Sequence, residues 1–450
     1  MTKPYLYCLL EVGSRELLAR CLVSCVAAER GFTVLLGHQY TMLEHATVFP
    51  AGIYFSKGTN AISTTNMKLA RDNGHINVAC EEENFFRVLR DNPVVCSDEG
   101  LPGVCDAFLA MGKEEADIMS ERFGNSLRVY QCGNARTDIL RPELKALYSK
   151  DIDDLKGLYG DYILVNSNLG ITNSPAENSS VDSVFRSWCD SEIFDPALNK
   201  QERIDVFKDF VDFEHGNAKA LRGVLSELSR TRNKVIFRPH PGECRETWNE
   251  FLTSLGATNI EMVPWGSHIP LILGARLVVH TSCTTGVEAL LLNIPTLSMV
   301  TTDASANDYY LSNRFNVTCT RVEDAIHLIE KTMAGDTAIS DARKDLVGGM
   351  ADYLDALEFG RLAAEQIVDV FVDIAQTQSG LVVNTSALRQ KEPYILSESK
   401  DYIENPYIKQ KFGVSQELVH KTIMDFRKVF GRFGDINLHQ ISETVWKLAK

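Results

Sequence analysis

The chain has no run of 18 apolar residues, no Cys-x-x-Cys pair and no low-complexity tract. It also lacks both glycine-rich phosphate signatures, the G-x-x-x-x-G-K-[ST] loop and G-x-G-x-x-G. Each absence closes a class. Without a long apolar run no membrane-spanning helix is expected. Without the glycine signatures an ordinary P-loop kinase or nicotinamide dehydrogenase is not expected. The 11 cysteines are scattered, with no metal-ligand spacing to one another or to histidine. Cys21 and Cys25 stand one helical turn apart in an apolar stretch, where thiols serve as small hydrophobes, so a reduced, cytosolic protein is expected. The apolar run from Tyr5 is broken at Glu11 and no small-residue cleavage site follows, so no signal peptide is expected. With 46 Lys and Arg against 60 Asp and Glu, the net charge is −14, and a broad nucleic-acid surface is not expected.

What is present is an ordinary globular composition, 44% hydrophobic and 24% charged, over 450 residues, enough for two or three cores. From residue 4 to about 140, short apolar strands alternate with helical spacing: Tyr5–Leu10, helix 15–29 ended by Gly31, Thr33–Leu36, Gly52–Phe55, helix 66–73, Ile76–Cys80, Ala107–Ala110, helix 114–123 and Arg128–Gln131. A polar helical connector, 144–160, leads to a second series: Tyr162–Val165, Lys234–Phe237, Arg276–Val279 and Thr296–Met299, with helices at 322–333 and 341–374. The long polar stretch 173–199 reads as a functional loop. Strands alternating with helices predict parallel sheets covered on both faces. The expected fold is α/β, two Rossmann-like doubly wound domains facing across a cleft, with ligand at the carboxyl ends of the strands. The boundaries are 1–145 for an acceptor domain, 158–335 for a nucleotide-sugar domain, 336–376 for helices packing back across the domains, and 377–450 for an accessory helical tail with helices near 416–430 and 438–448.

Two segments carry most of the chemistry. Phe237-Arg238-Pro239-His240-Pro241-Gly242-Glu243 and His280-Thr281-Ser282-Cys283-Thr284-Thr285-Gly286-Val287-Glu288-Ala289 each follow a short strand and precede helical spacing. A strand that stops in such a turn and starts a helix presents backbone N–H groups and partial positive charge, a natural seat for phosphate. Two of them in one domain suggest a nucleotide-sugar site. Pro239 and Pro241 fix the backbone on either side of His240, which would donate to a phosphate or leaving group, with Arg238 supplying a planar cation. A structural turn histidine is the alternative. In the second turn Ser282, Thr284 or Thr285 would cap a helix over 287–292, and the free hydroxyls and Gly286 would surround the phosphate. Glu288, in the first turn of that helix, either answers the helix dipole or accepts from a ribose hydroxyl.

Glu81-Glu82-Glu83 ends a strand in the first series; crowded carboxylates raise a pKa, which suits a general base, and a solvated charge run is the alternative. Asp98-Glu99-Gly100 competes for that role. Asp151-Ile152-Asp153 has metal-motif spacing but sits in the helical connector, so no metal ligand is expected there. Glu11, Arg15 and Glu16, and likewise Asn134, Arg136 and Asp138, either line a cleft or form salt-bridged structure.

Gly133-Asn134-Ala135-Arg136-Thr137-Asp138-Ile139-Leu140-Arg141-Pro142-Glu143 resembles the Gly-Asn-Pro-Arg-x-Asp-Leu-Leu-Arg-Pro-Glu run of the bacterial surface-carbohydrate (capsule and O-antigen) biosynthesis family. Arg238–Pro241, Cys283–Ala289, Glu11–Leu17 and Asn166-Ser167-Asn168 fit the same family, and the resemblance covers residues 5–300. That family is similar to bacterial sialyltransferases and Kdo transferases, two-domain GT-B enzymes. The resemblance implies a glycosyltransferase using a CMP-activated donor, Kdo or another nonulosonate, and a glycan or glycolipid acceptor. His240, Arg238, Ser282, Thr284, Thr285, Gly286, Glu288, Asn166 and Asn168 would bind the donor. Glu82 or Glu83 would match the acidic motif, although Asn84 replaces its glycine. Asn at the 166–168 strand end supplies no carboxylate nucleophile, which leaves inverting transfer open. No metal and no cofactor beyond the CMP-sugar substrate are expected, since His240, helix dipoles and hydroxyls would absorb the leaving charge. Two rivals are transfer of a polyol phosphate from a CDP-activated donor, as in teichoic-acid polymerases, and a non-catalytic nucleotide- or glycan-binding assembly subunit. The tail either packs on the two domains or docks to other polysaccharide-assembly enzymes or the inner membrane face, and its Lys409, Lys411, Lys421, Arg427, Lys428 and Arg432 reflect solvated helical faces or an electrostatic contact with that membrane.

Overall fold

The computed structural model describes residues 3–82, 87, 90–94, 97–174, 180–190, 193–263, 268–300, 303–355, 360–377 and 397–450. The chain forms two compact units, Met1–Glu83 with Cys96–Leu147 and Asp352–Lys450, and Asn84–Val95 with Tyr148–Ala351.

The first unit is built on parallel strands β1 (Tyr5–Leu10), β2 (Thr33–His38), β3 (Gly52–Ser56), β4 (Ile76–Cys80), β5 (Ala107–Ala110) and β6 (Val129–Gln131), in the order β2-β1-β3-β4-β5-β6. Side chains alternate between the faces of the sheet. Leu6, Cys8 and Leu10 join one core with helices Gly13–Glu29, Ala363–Thr377 and Gln416–Phe430, whereas Tyr7 and Leu9 join another with Met42, Phe49 and Ala70. The helix Gly13–Glu29 is apolar nearly all round because the sheet lies on one side of it and two helices on the other.

The second unit carries β7 (Tyr162–Asn166), β8 (Lys234–Arg238), β9 (Ile260–Met262), β10 (Leu277–His280), β11 (Thr296–Met299) and β12 (Val317–Cys319), all parallel, in the order β12-β11-β10-β7-β8-β9. Taken along the chain this is the 3-2-1-4-5-6 winding of a dinucleotide-binding sheet, and its order reverses between β7 and β10. Two Rossmann-like parallel-sheet domains in one chain is the GT-B-like class expected from the sequence.

The tail differs from expectation. Residues 438–448 are not helical: β13 (Asn437–Gln440) and β14 (Val445–Ala449) form a hairpin, and β14 adds antiparallel to the edge of β2. The exposed row of backbone groups along β2 needs a partner, and Val445, Trp446 and Leu448 bury fully against it. Gly37 is required there, because a Cβ would meet the Thr444 carbonyl oxygen at 2.3 Å. The tail is thus part of the first unit's sheet and core. In the second unit, the stretch read as a loop over 173–199 contains a helix, Val181–Asp190, whose Phe185 and Trp188 pack with Phe194, Phe207 and Phe210. Among the described residues no helix is long and apolar enough to cross a membrane.

Candidate functional site

In the second unit, residue register places Asn166 opposite both Arg238 and His280 at the carboxyl ends of three neighbouring strands. Strands lie about 4.8 Å apart, so the turns after β8 and β10 begin roughly 10 Å from each other. They flank the reversal of strand order, where open α/β sheets hold their ligands.

The turn after β8 is closed by a hydrogen bond from the Glu243 N–H to the His240 carbonyl (3.0 Å), with Pro241 presetting its second position. His240 is exposed. Its Nδ1 accepts the Gly242 N–H at 3.1 Å, which leaves the proton of a neutral imidazole on Nε2. Arg238 is 9% exposed, and burial lowers its pKa, opposed by the Glu288 carboxylate.

The turn after β10 differs in detail from the sequence reading. The helix spans Thr284–Leu291, three residues earlier than expected, and its N-cap is Cys283, which makes no side-chain capping bond. Ser282 and Thr285 are buried, and their hydroxyls are engaged inside the protein. Ser282 Oγ accepts from Asn313 Nδ2 (2.9 Å), and Thr285 Oγ1 accepts from Asn166 Nδ2 (3.1 Å). Ser282 adopts φ +52°, a left-handed conformation rare outside glycine, and Asn168 Nδ2 donates to its carbonyl at 3.1 Å. Thr284 alone of the four hydroxyl residues is partly exposed. His280 is fully buried beneath Gly286, where a Cβ would meet its Nε2 at 2.2 Å, and burial lowers its pKa to about 3. Glu288 lies beyond the first helical turn, so the dipole explanation fails. Its Oε2 instead pairs with His268 Nε2 at 2.6 Å, a partner the sequence reading missed because the two are 20 residues apart. No acidic side chain stands in the first turn of this helix. Its N-terminus is therefore charged by the backbone dipole alone.

The equivalent turns elsewhere are filled by the protein's own carboxylates. At the start of helix Gly13–Glu29, the Glu11 and Val12 N–H groups both donate to Glu16 Oε2 (2.7 and 3.1 Å). Burial opposes the Glu16 charge, but Lys57, Arg15 and these amides outweigh it and hold the carboxyl well below its usual range. Lys57 and Lys411 both pair with Glu11, and the Phe412 carbonyl would lie 2.0 Å from a Cβ at Gly13. After β7, the Ile171 and Thr172 N–H groups donate to Glu214, whose carboxyl burial pushes up to about 7.

Glu81 and Glu82, at the end of β4, each have partners of their own. Glu81 accepts from the Thr59 N–H and hydroxyl (3.1 and 2.6 Å). Glu82, 4% exposed, sits between Arg20 and Arg136 at 3.4 Å from each. Both carboxylate oxygens thus face buried guanidinium groups, the arrangement of a structural ion pair rather than of a carboxylate open to an incoming hydroxyl. Glu83 and Asn84 lie outside the described residues. Asp98 turns back on the Gly100 N–H and Thr64 hydroxyl, and the exposed Glu99 pairs with Arg122. Asp151 and Asp153 lie exposed on the connector helix Ser149–Tyr159.

The Gly133–Glu143 run is likewise a joint. Asn134 caps the short helix Ala135–Asp138, and Arg136 reaches Glu82. Asp138 accepts from the Ala363 and Ala364 N–H groups (2.9 and 2.8 Å), capping the helix Ala363–Thr377, while Arg141 donates to the carbonyls of Gly360 and Arg361. Burial raises the Asp138 carboxyl to about 6 against these bonds. An open groove of about 1060 Å³ between helices Lys200–Leu228 and Val322–Met333 contains none of the expected site residues.

No protein-family model and no curated protein matches the chain. Several solved structures resemble it in fold. A putative UDP-N-acetylglucosamine 2-epimerase from Listeria monocytogenes is 12% identical, covering 84% of this chain and 98% of its own, with a TM-score of 0.49. The wall teichoic acid polymerase TagF, soaked with CDPG, is 10% identical over 84% of this chain and 90% of its own, with a TM-score of 0.47. HepE from Anabaena, in complex with UDP and glucose, is 11% identical over 84% of this chain and all of its own (100%), with a TM-score of 0.43.

Proposed function

We propose that this protein is a glycosyltransferase of surface-polysaccharide assembly, and that its second unit holds the nucleotide of a CMP-activated sugar. A nonulosonate such as Kdo is the donor and a glycan or glycolipid is the acceptor. The observation that supports this most is the turn at Cys283–Thr284. It is a helix N-terminus at the reversal point of a 3-2-1-4-5-6 sheet, with no acidic residue in its first turn and a partly exposed hydroxyl beside it. In this reading the bond between the anomeric carbon and the phosphate oxygen breaks, and the electron pair leaves on CMP. The backbone at Cys283–Thr285, the Thr284 hydroxyl and the His240 Nε2–H receive that charge without a metal. Arg238 lends positive potential, and Glu288, buried and held by His268, supports the turn rather than meeting the ribose. Asn166 and Asn168 hold the shape of the turn through Thr285 and the Ser282 carbonyl. The acceptor hydroxyl forms the new bond to the anomeric carbon and gives its proton to a base, for which the sequence alone offers Glu82 or Glu83.

His240 also weighs between this reading and polyol-phosphate transfer from a CDP-activated donor. An imidazole whose Nδ1 accepts from Gly242 can donate through Nε2 but cannot also serve there as a base. Leaving-group stabilisation is the chemistry this tautomer suits. The test is calorimetry with CMP, CDP and UDP, followed by CMP-release assays with CMP-Kdo and by release assays with CDP-glycerol. CMP binding and CMP release from the nonulosonate donor are expected. Release from CDP-glycerol alone would favour the polyol reading, and nucleotide binding without turnover in the presence of acceptor would favour an assembly subunit. Failure to bind any of the three nucleotides overturns the proposal. Contact of the tail with the inner membrane face is a separate proposal, tested by flotation with anionic vesicles.

A further inference from the structure

One carboxylate ties the whole crevice together. Glu243 is 1% exposed, and donors from several segments converge on it. Its Oε1 accepts from the Ser167 hydroxyl (2.8 Å), the Leu169 N–H (3.0 Å) and the His240 N–H (3.1 Å). Its Oε2 accepts from the Ser167 hydroxyl (2.9 Å), Trp248 Nε1 (2.7 Å) and Asn173 Nδ2 (3.4 Å). The donors belong to the turn after β7, the turn after β8 and the helix Arg245–Leu255. The Cys244 N–H adds a bond to the Asn173 carbonyl at 2.7 Å. Within its own turn, the Glu243 side chain bonds back to the His240 N–H while its N–H bonds to the His240 carbonyl. The result is that both backbone polar groups of His240 are held by a single residue. Gly242 then completes the arrangement: its N–H meets Nδ1, and a Cβ there would stand 3.3 Å from that nitrogen.

We infer that Glu243 is the positioning residue of His240: its buried carboxylate anchors the turn that presents the imidazole with its proton on Nε2, toward the leaving phosphate. The inference rests on the proposed nucleotide site for its purpose, but the geometry it describes is independent of that site. A negative charge suits the place because Ser167, Leu169, His240, Asn173 and Trp248 all donate to it, and a neutral amide would oppose some of them with N–H groups of its own. Glu243→Gln therefore turns its amide nitrogen against either Trp248 and Asn173 or Ser167, Leu169 and His240.

The test has two arms. The first is the imidazole ¹⁵N–¹H spectrum of the full-length protein, with the His240 signals assigned by their loss in His240→Ala. Wild type is expected to show the Nε2–H tautomer, and Glu243→Gln a shift toward the Nδ1–H form. The second is CMP affinity in a double-mutant cycle. Glu243→Gln and His240→Ala are each expected to weaken CMP by roughly 10- to 100-fold, the loss typical of a charged hydrogen bond, and the double variant to lose little more than either alone. An unchanged tautomer in Glu243→Gln, or fully additive losses, overturns the inference. Should Glu243→Gln fail to fold, Ser167→Ala removes the donor that spans both oxygens while leaving the charge, and a shift in the His240 spectrum in the same direction is expected. No shift there overturns the inference. If CMP binds to none of these proteins while the tautomer responds to Glu243, the nucleotide reading fails and the positioning role stands.

Discussion

Glu82→Ala separates structural from catalytic use of the acidic strand end. The carboxylate lies between Arg20 and Arg136, whose side chains are 2% and 7% exposed, and the Arg20 guanidinium also stacks over Phe55 at 3.8 Å. Removing the carboxylate takes away the acidic group that lies between two buried cations. Breaking a buried ion pair from one side typically costs about 3–5 kcal/mol, because the remaining charge stays desolvated. For a unit in the 150–250-residue range each kcal/mol lowers Tm by roughly 2–4 °C, so a fall of about 6–20 °C is expected. Glu82→Gln, which keeps the shape and an acceptor, should lie between wild type and alanine. The assay is thermal and urea unfolding at pH 7 on all three proteins, beside their turnover. An alanine variant that melts within about 2 °C of wild type, with turnover abolished, would refute the structural reading and restore Glu82 as general base.

Other outcomes follow from the same geometry. His240→Ala should leave the melting temperature nearly unchanged, since the ring is exposed, and lower turnover by on the order of 100- to 1000-fold. Glu115 is buried, accepts the Met111 N–H at 2.7 Å, and has its carboxyl pushed by burial to about 8 from an ordinary 4.5. The folded state binds that proton more tightly than the unfolded one, so the associated stability is full below pH 4.5 and is lost as pH rises through about 8. Glu115→Gln should flatten the dependence of Tm on pH across that window, and parallel curves for variant and wild type would contradict the assignment. Trp446→Ala, in a strand that covers the β2 edge, should cost about 3–5 kcal/mol, measured by urea unfolding. Truncation after residue 396 should give an aggregating protein, because it reopens that edge and uncovers the helix Gly13–Glu29; a soluble, native-like truncation would refute this.

Much of this was legible along the chain. Strand and helix patterning placed nearly every parallel strand, because a period of two or of 3.6 is a local property of side chains on a pleat or a helix. The tail escaped it. Thr444–Leu448 has no periodicity that distinguishes a short helix from an edge strand, and only the open side of β2, some 400 residues away in sequence, makes it a strand. The turns after β8 and β10 were also recognisable, since a short strand run followed by Pro, Gly and hydroxyl residues marks where a strand gives way to a helix. What each residue there does was not. Ser282 and Thr285 look like free hydroxyls until Asn313 and Asn166 are brought beside them.

By itself, then, the sequence determined the class of fold, its two series of strands and the two strand-to-helix turns after β8 and β10, since all of these follow from local pattern and backbone chemistry. Tertiary structure decided which polar groups remain available. Pairing of carboxylates is a matter of distance in space: it closed Glu82 between arginines, filled the Gly13 turn with Glu16, and set Glu243 under His240. A charge's role depends on its neighbours and on how much water reaches it, and neither is written in the order of residues.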